Sequence, residues 1–130
     1  MTQPKANKII AVDDNVMMRS LLENVLSRKY EVNVMEDGQQ ALEWLYAGNI
    51  PDLIIADLNM PEVSGFEFLE KVKESGFFEQ IPVIVLSGEE GSATRVKVFE
   101  NKGNDYILKP FNPKELIYRI DNLLRLTGKI

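Results

Sequence analysis

The sequence predicts an α/β protein built on a doubly wound, five-stranded parallel sheet with five helices. Short apolar segments alternate with amphipathic segments along the chain, and neither a repeat nor a linker divides it. Alternation of this kind is typical of a parallel sheet with helices on both faces. A length of 130 residues, 45% of them hydrophobic and 27% charged, suits one globular domain over 1–130. We therefore expect a single domain with one sheet.

The strands are predicted from short apolar runs bounded by turn residues. These runs are Lys8–Val12, Glu31–Met35, Leu53–Ala56, Val83–Leu86 and Tyr106–Leu108. The second run alternates between apolar and polar residues more than the others do, which indicates a strand near the sheet edge.

The helices are predicted from apolar residues at helical spacing. They are Val16–Arg28, Gln39–Ala47, Phe66–Glu74, Ser92–Lys102 and Lys114–Leu126. Asn15 can cap the first helix, Gly48 and Gly103 fit the ends of the second and fourth, and Pro113 suits a first turn. The first helix has one predicted core face, formed by Met17, Met18, Leu21, Leu22, Val25 and Leu26.

Composition excludes several classes of site and partner. The chain has no cysteine and no histidine, so a metal ion must bind through oxygen, which favours Mg²⁺, Ca²⁺ or Mn²⁺. A net charge of −5 argues against direct nucleic-acid binding. The apolar runs fall short of the roughly 20 residues that span a bilayer. We expect a cytoplasmic protein with no membrane contact.

Polar residues that could carry chemistry follow four of the predicted strands. Asp13 and Asp14 follow the first strand, Asp57 the third, Ser87 the fourth and Lys109 the fifth. The carboxyl ends of parallel strands share one sheet edge, where such folds bind ligands. Three carboxylates at one place repel one another unless a cation lies among them, and Mg²⁺ suits this set, with Mn²⁺ as an alternative. A lysine and a hydroxyl beside them can bind phosphate, so Asp57 can act as a nucleophile towards phosphorus.

Each of these residues also has an ordinary structural explanation. Asp13 and Asp14 could belong to a helix cap, Asp57 to a turn and Ser87 to a loop, while Lys109 could be a solvated surface lysine. Their common position at one edge of the sheet favours the functional interpretation.

Four motifs in a fixed order match a known family. They are Val12-Asp13-Asp14-Asn15, Asp57-Leu58-Asn59-Met60-Pro61 followed by Ser64-Gly65, Ser87-Gly88, and the run from Gly103 to Phe111. With these motifs the sequence resembles the receiver domains of bacterial two-component response regulators over Lys8–Leu126, and is similar in size and layout to the chemotaxis receiver. The resemblance implies a flavodoxin-like strand order, 2-1-3-4-5.

The resemblance implies a metal-dependent phosphoacceptor. Asp57 would accept the phosphoryl group, Asp14 would bind Mg²⁺ directly and Asp13 through water. The backbone carbonyl of Asn59 would complete the protein ligands, and the Asn59 side chain would tune the phosphate lifetime.

The resemblance also implies a readout of phosphorylation. Ser87 and Lys109 would hold phosphoryl oxygens, and Pro110 would follow a cis peptide bond. Ser87 would move towards the phosphate, and Tyr106 would turn inward into the space it leaves; a half-buried strand aromatic is the ordinary alternative for Tyr106. Glu89, two residues after Ser87, would be a second position that tunes the lifetime.

The partners implied are a sensor histidine kinase or phosphotransfer protein and an output partner or attached domain. The chain would catalyse its own phosphotransfer and dephosphorylation rather than act as an enzyme on other substrates. Whether it stands alone or is excised from a longer regulator stays open. A homodimer like that of winged-helix regulators would use Arg95, Val96, Phe99, Asp105, Glu115, Ile117 and Arg119, with Asp121 departing from the usual basic residue.

Three other functions compete with this interpretation. A phosphatase with an aspartyl nucleophile needs an acid two residues later, where this chain has Asn59. A flavin module needs a hydroxyl- and glycine-rich phosphate loop after the first strand, where Asp13 and Asp14 would repel phosphate. A receiver-like module that binds partners without being phosphorylated remains the alternative.

Overall fold

Strands and helices alternate throughout the computed structural model, which describes residues 6–60 and 62–130. Pro61, a member of the second motif, lies outside the described residues. The elements are β1 Lys8–Val12, α1 Val16–Leu26, β2 Glu31–Met35, α2 Gly38–Tyr46, β3 Leu53–Asp57, α3 Gly65–Glu74, β4 Val83–Ser87, α4 Ser92–Glu100, β5 Asp105–Leu108 and α5 Pro113–Leu126.

The five strands form one parallel sheet in the order β2-β1-β3-β4-β5, as predicted. The strand order reverses between β1 and β3, which are hydrogen-bonded neighbours, with Val12 opposite Ala56. In open α/β sheets, ligands bind at the carboxyl ends of the strands on either side of such a reversal. The topology therefore brings the residues at the carboxyl ends of β1 and β3 to the expected ligand edge.

Apolar side chains cover both faces of the sheet. Every residue of β3 and of β4 is buried, which matches their continuous apolar sequences. One core cluster contains Ile10 and residues of α2 and α3, and the other contains Ile9 and residues of α1 and α5. β2 is more exposed, as expected for the edge strand.

Three helices end earlier than predicted, α2 by one residue, at Tyr46. α1 ends at Leu26 and α4 at Glu100, each two residues short of the expected end. Beyond α4 the left-handed residue is Lys102, with φ of 69°, rather than Gly103. Gly103 is needed for packing instead, because a Cβ there would lie 2.5 Å from Cγ1 of Val98. Gly48 has φ of 104°, as expected at the end of α2.

The predicted core face of α1 is too wide. Leu22 and Leu26 are buried, but Met17 is 79% exposed and Leu21 43% exposed. A helix that packs against one sheet buries a single stripe, so residues at its margins remain in solvent. This correction leaves an apolar surface on the first turns of α1.

The predicted helix starts are confirmed at two positions. The Asn15 side chain accepts a hydrogen bond from the backbone N–H of Met18 at 2.9 Å, and Pro113 lies in the first turn of α5. Among the described residues, no helix is both long and apolar enough to cross a bilayer.

Candidate functional site

The ends of β1 and β3 bring three carboxylates together. Asp13 and Asp57 are buried, at 1% and 6% exposure, while Asp14 is exposed. One carboxylate oxygen from each lies within 4.8 Å of the other two. The sequence predicted these three residues at one edge, and the structure places them there.

Asp13 is held by hydrogen bonds through both its backbone and its side chain. Its N–H donates to the carbonyl of Met35 at 3.1 Å, which ties it to β2. Its Oδ1 accepts from the backbone N–H of Asn15 at 2.9 Å. Its own carbonyl accepts from Nη1 of Arg19 at 2.8 Å. Sequence reasoning missed Arg19, and no motif singles it out, because this contact depends on how α1 folds back over the end of β1.

Lys109 joins two of the acids. Its Nζ lies 2.8 Å from Oδ2 of Asp13 and 3.1 Å from Oδ1 of Asp57. Its backbone N–H donates to the carbonyl of Ser87 at 2.8 Å, so the neighbouring strand ends fix its position. The peptide bond between Lys109 and Pro110 is cis, as predicted.

Burial and charge shift the ionisation of this group. Burial raises the pKa of Asp57, and the opposing charge and hydrogen bond of Lys109 do not cancel that effect. Burial by itself would lower the pKa of Lys109, but its hydrogen bond to Asp13 and the charges of Asp57 and Asp13 outweigh burial and raise it. Lys109 therefore keeps its positive charge at neutral pH, beside the buried acids Asp13 and Asp57.

Ser87 and Asn59 flank the acids from β4 and from the loop after β3. Ser87 is fully buried, and its Oγ accepts from the backbone N–H of Glu89 at 3.1 Å. Asn59 is exposed, and its backbone makes a hydrogen bond that lowers the pKa of Asp57 in part. Both residues therefore lie beside the acids, and the phosphoryl and metal contacts expected of them stay predictions.

Tyr106 lies beneath the loop between β4 and α4. The residue is 8% exposed, and its hydroxyl donates to the carbonyl of Glu89. The guanidinium carbon of Arg95 lies 5.9 Å from the ring centroid. The Glu89 carboxylate is exposed and accepts from Oγ1 of Thr94 at 2.9 Å. Sequence reasoning missed Thr94, which links Glu89 to α4.

Gly65 has a role that its position in a motif did not reveal. It is the first residue of α3, and its N–H donates to the carbonyl of Leu58 at 2.9 Å. A Cβ on Gly65 would lie 2.3 Å from the carbonyl oxygen of Asp57 and 2.5 Å from Cα of Leu58. The absence of a side chain thus allows α3 to approach the backbone that carries Asp57.

The donor atoms fit a hard divalent cation. Asp13, Asp14 and Asp57 offer only oxygen, and Asp14 faces solvent, from which water ligands can complete an octahedron. Mg²⁺ usually keeps several waters and takes few carboxylates, which matches this half-open group.

The expected dimer surface is partly occupied within one chain. Nη1 of Arg119 binds both carboxylate oxygens of Asp105, at 2.9 and 3.0 Å, and Nη2 lies 3.0 Å from Glu115. Val96 and Phe99 are exposed, at 52% and 46%. A groove of about 540 Å³ between α4 and α5 is lined by Arg95, Phe99, Tyr106, Glu115 and Arg119, among others. The homodimer stays a prediction.

Two other residues named for that surface are less available to a partner. Ile117 is half-buried against the core cluster that contains α1 and α5. Asp121 binds Lys29, and its Oδ1 accepts from the Tyr30 hydroxyl at 2.6 Å. Asp121 therefore faces the start of β2 rather than a second copy.

Known proteins have sequences similar to that of this chain. Residues 9–121 match the model of a family described as the response regulator receiver domain. Sensor histidine kinase TmoS of Ectopseudomonas mendocina is 41% identical over 92% of the chain but only 12% of that protein. Transcriptional regulatory protein SrrA of Staphylococcus aureus is 37% identical over 94% of the chain and 49% of that protein. The chain thus spans about half or less of these curated relatives.

A solved structure supports the same match. Chemotaxis response regulator CheY4 of Vibrio cholerae superposes with a TM-score of 0.84 at 30% identity, covering 92% of this chain and all of that chain.

Proposed function

The chain belongs to the response regulator receiver domain family of two-component signalling, and we propose that Asp57 accepts a phosphoryl group from a sensor histidine kinase or a phosphotransfer protein. The observation that carries this proposal is the group of three carboxylates with Lys109 between Asp13 and Asp57. Phosphoryl transfer needs a positioned oxygen nucleophile and positive charge on the transferred oxygens, and this arrangement supplies both.

The transfer itself moves one phosphoryl group. An oxygen of Asp57 forms a bond to phosphorus while the bond from phosphorus to the donor's leaving atom breaks in line, and the leaving group takes up the electron pair. Lys109 donates from Nζ to a phosphoryl oxygen, and the Ser87 hydroxyl donates to another after releasing the Glu89 N–H. Because its pKa is raised, Lys109 remains charged throughout the transfer.

We propose that Asp13, Asp14, Asp57 and the Asn59 carbonyl hold Mg²⁺, with Mn²⁺ as an alternative. Bound there, Mg²⁺ would neutralise negative charge shared by Asp57 and the incoming phosphoryl oxygens. The interactions of Asp13 with Met35, Asn15 and Lys109 keep its carboxylate in place for this purpose.

The donor protein is proposed to dock on the apolar surface of α1. Val16, Met17 and Leu21, which we call the α1 patch, are 64%, 79% and 43% exposed. An open groove of about 450 Å³ is lined by Met17, Leu21 and Lys109, so the α1 patch continues into the site. A partner with an apolar helical surface could bury the α1 patch while presenting its phosphoryl group to Asp57.

The mass of the intact protein tests this proposal. The parent chain and Asp57→Asn are incubated with acetyl phosphate and Mg²⁺, and a parallel sample contains a chelator. We expect one added phosphoryl group on the parent with Mg²⁺, and none on Asp57→Asn or in the chelated sample. An unchanged mass for the parent would contradict the proposal and favour a receiver that acts only as a protein-binding module.

A further inference from the structure

Helix α4 is attached to the rest of the molecule less firmly than the other helices. It buries a single side chain, Val98, among its nine residues, whereas each of the other four buries at least two. The other four helices each begin with a side-chain cap from Asn15, Asp37, Ser64 or Asn112. The N-cap of α4 is Gly91, which has no side chain to accept from the first turn.

A residue outside α4 takes over part of that role. Glu89 lies two residues before Gly91, and its carboxylate accepts from Oγ1 of Thr94, in the first turn of α4, at 2.9 Å. A carboxylate near a helix N-terminus is also stabilised by the unpaired N–H groups and the helix dipole. We call this contact the Glu89–Thr94 clasp.

The backbone of Glu89 connects the clasp to the predicted readout residues. Its N–H donates to Oγ of Ser87 at 3.1 Å, and its carbonyl accepts from the hydroxyl of Tyr106. One residue therefore hydrogen-bonds to β4, β5 and α4. Any movement of the Ser87 hydroxyl towards a phosphoryl oxygen removes the acceptor of the Glu89 N–H.

We propose that Thr94 is a positioning residue that, through Glu89, couples the start of α4 to the Ser87–Tyr106 pair. This inference rests on the proposed function, since phosphorylation of Asp57 is the event that would draw Ser87 away from Glu89. With the clasp intact, a displacement of Glu89 pulls on the first turn of α4. Without the clasp, Gly88 and Gly91 leave the loop free to absorb that displacement, because a Cβ at either position would have no atom within 4 Å.

Amide hydrogen exchange measured by NMR tests the clasp in the free protein. The probes are the amides of Arg95 and Val96, at the start of the α4 hydrogen-bond ladder, where the Arg95 N–H donates to the Gly91 carbonyl at 3.3 Å. Thr94→Val keeps the shape of the side chain but removes the donor, and should raise their exchange roughly fivefold, the equivalent of about 1 kcal/mol for one hydrogen bond. Thr94→Ser keeps the donor and should exchange like the parent.

A second comparison shows whether Thr94 acts through Glu89. Glu89→Ala should raise exchange as Thr94→Val does, and the double variant should exchange no faster than either single variant. Parent-like exchange in Thr94→Val, or additive effects in the double variant, would overturn the clasp.

The same amides measured after acetyl phosphate and Mg²⁺ treatment test the coupling. We expect phosphorylation to change their exchange in the parent and in Thr94→Ser, and the change to be at least halved in Thr94→Val. Intact mass should show equal phosphoryl uptake in all three, because Thr94 lies outside the acid group. Full uptake with a full response in Thr94→Val overturns this inference alone, whereas no uptake by the parent overturns the proposed function, and the coupling with it.

Discussion

Replacing Gly65 by alanine should disturb the fold and the phosphoryl site together. The added Cβ would lie 2.3 Å from the Asp57 carbonyl oxygen and 2.5 Å from Cα of Leu58. Both neighbours are backbone atoms of buried residues at the end of β3, so neither can rotate away. Relief requires α3 to move outward from β3, which also moves the backbone that carries Asp57.

The size of this effect follows from the cost of overpacking. Inserting a methyl group into a well-packed region costs about 1–3 kcal/mol, and a contact with fixed backbone belongs at the upper end, about 3 kcal/mol. With an unfolding entropy of about 2.1 cal/mol/K per residue, that loss lowers the melting temperature of a chain of this length by roughly 11 °C.

Thermal and urea unfolding, read by circular dichroism, would measure the loss. Gly76→Ala is the matched control, because its Cβ meets no atom within 4 Å and Gly76 does not have a positive φ. The control should be neutral or slightly stabilising. A Gly65→Ala protein that melts within about 2 °C of the parent would refute the close approach of α3 to β3 on which this reasoning rests.

Three further predictions concern the site. Asp57→Asn should raise the unfolding free energy at pH 7 without metal by about 1 kcal/mol. Burial raises the pKa of Asp57, so ionisation of this carboxyl between acid and neutral pH destabilises the folded parent protein. The stability gain of the variant, measured by urea unfolding, should therefore shrink as the pH falls towards 4. Lys109→Ala should separate phosphorylation from any surface change, and partner binding that remained fully phosphate-dependent in this variant would contradict the role given to Lys109. Met17→Glu, in the α1 patch, should slow phosphotransfer from a cognate kinase at least tenfold and leave uptake from acetyl phosphate unchanged; equal slowing with both donors would argue against docking on α1.

Most of the fold could be predicted because its signals are local. Continuous apolar runs such as Leu53–Ala56 in the core strands, and their alternation with amphipathic segments, predict the sheet and its two layers of helices. Since parallel strands end at one edge, the grouping of Asp13, Asp57 and Lys109 followed from the same pattern. The match to a family then supplied the strand order.

What the sequence did not reveal depends on tertiary geometry. Met17 and Leu21 have the spacing of a core face, yet they lie beside the stripe that contacts the sheet. The contacts of Arg19 and Thr94 depend on which rotamer reaches across a loop, which no spacing rule encodes. The ion pair between Arg119 and Asp105 of the same chain likewise depends on how α5 packs beside β5.

Chemical trapping of the phosphorylated residue tests the central claim most directly. Borohydride reduces an acyl phosphate and converts the modified aspartate to homoserine, which peptide mass spectrometry can locate. After treatment with acetyl phosphate and Mg²⁺, we expect homoserine at Asp57 and intact aspartate at Asp13 and Asp14. Homoserine at Asp13 or Asp14, or at none of the three, would contradict the assignment of Asp57 as the phosphoacceptor.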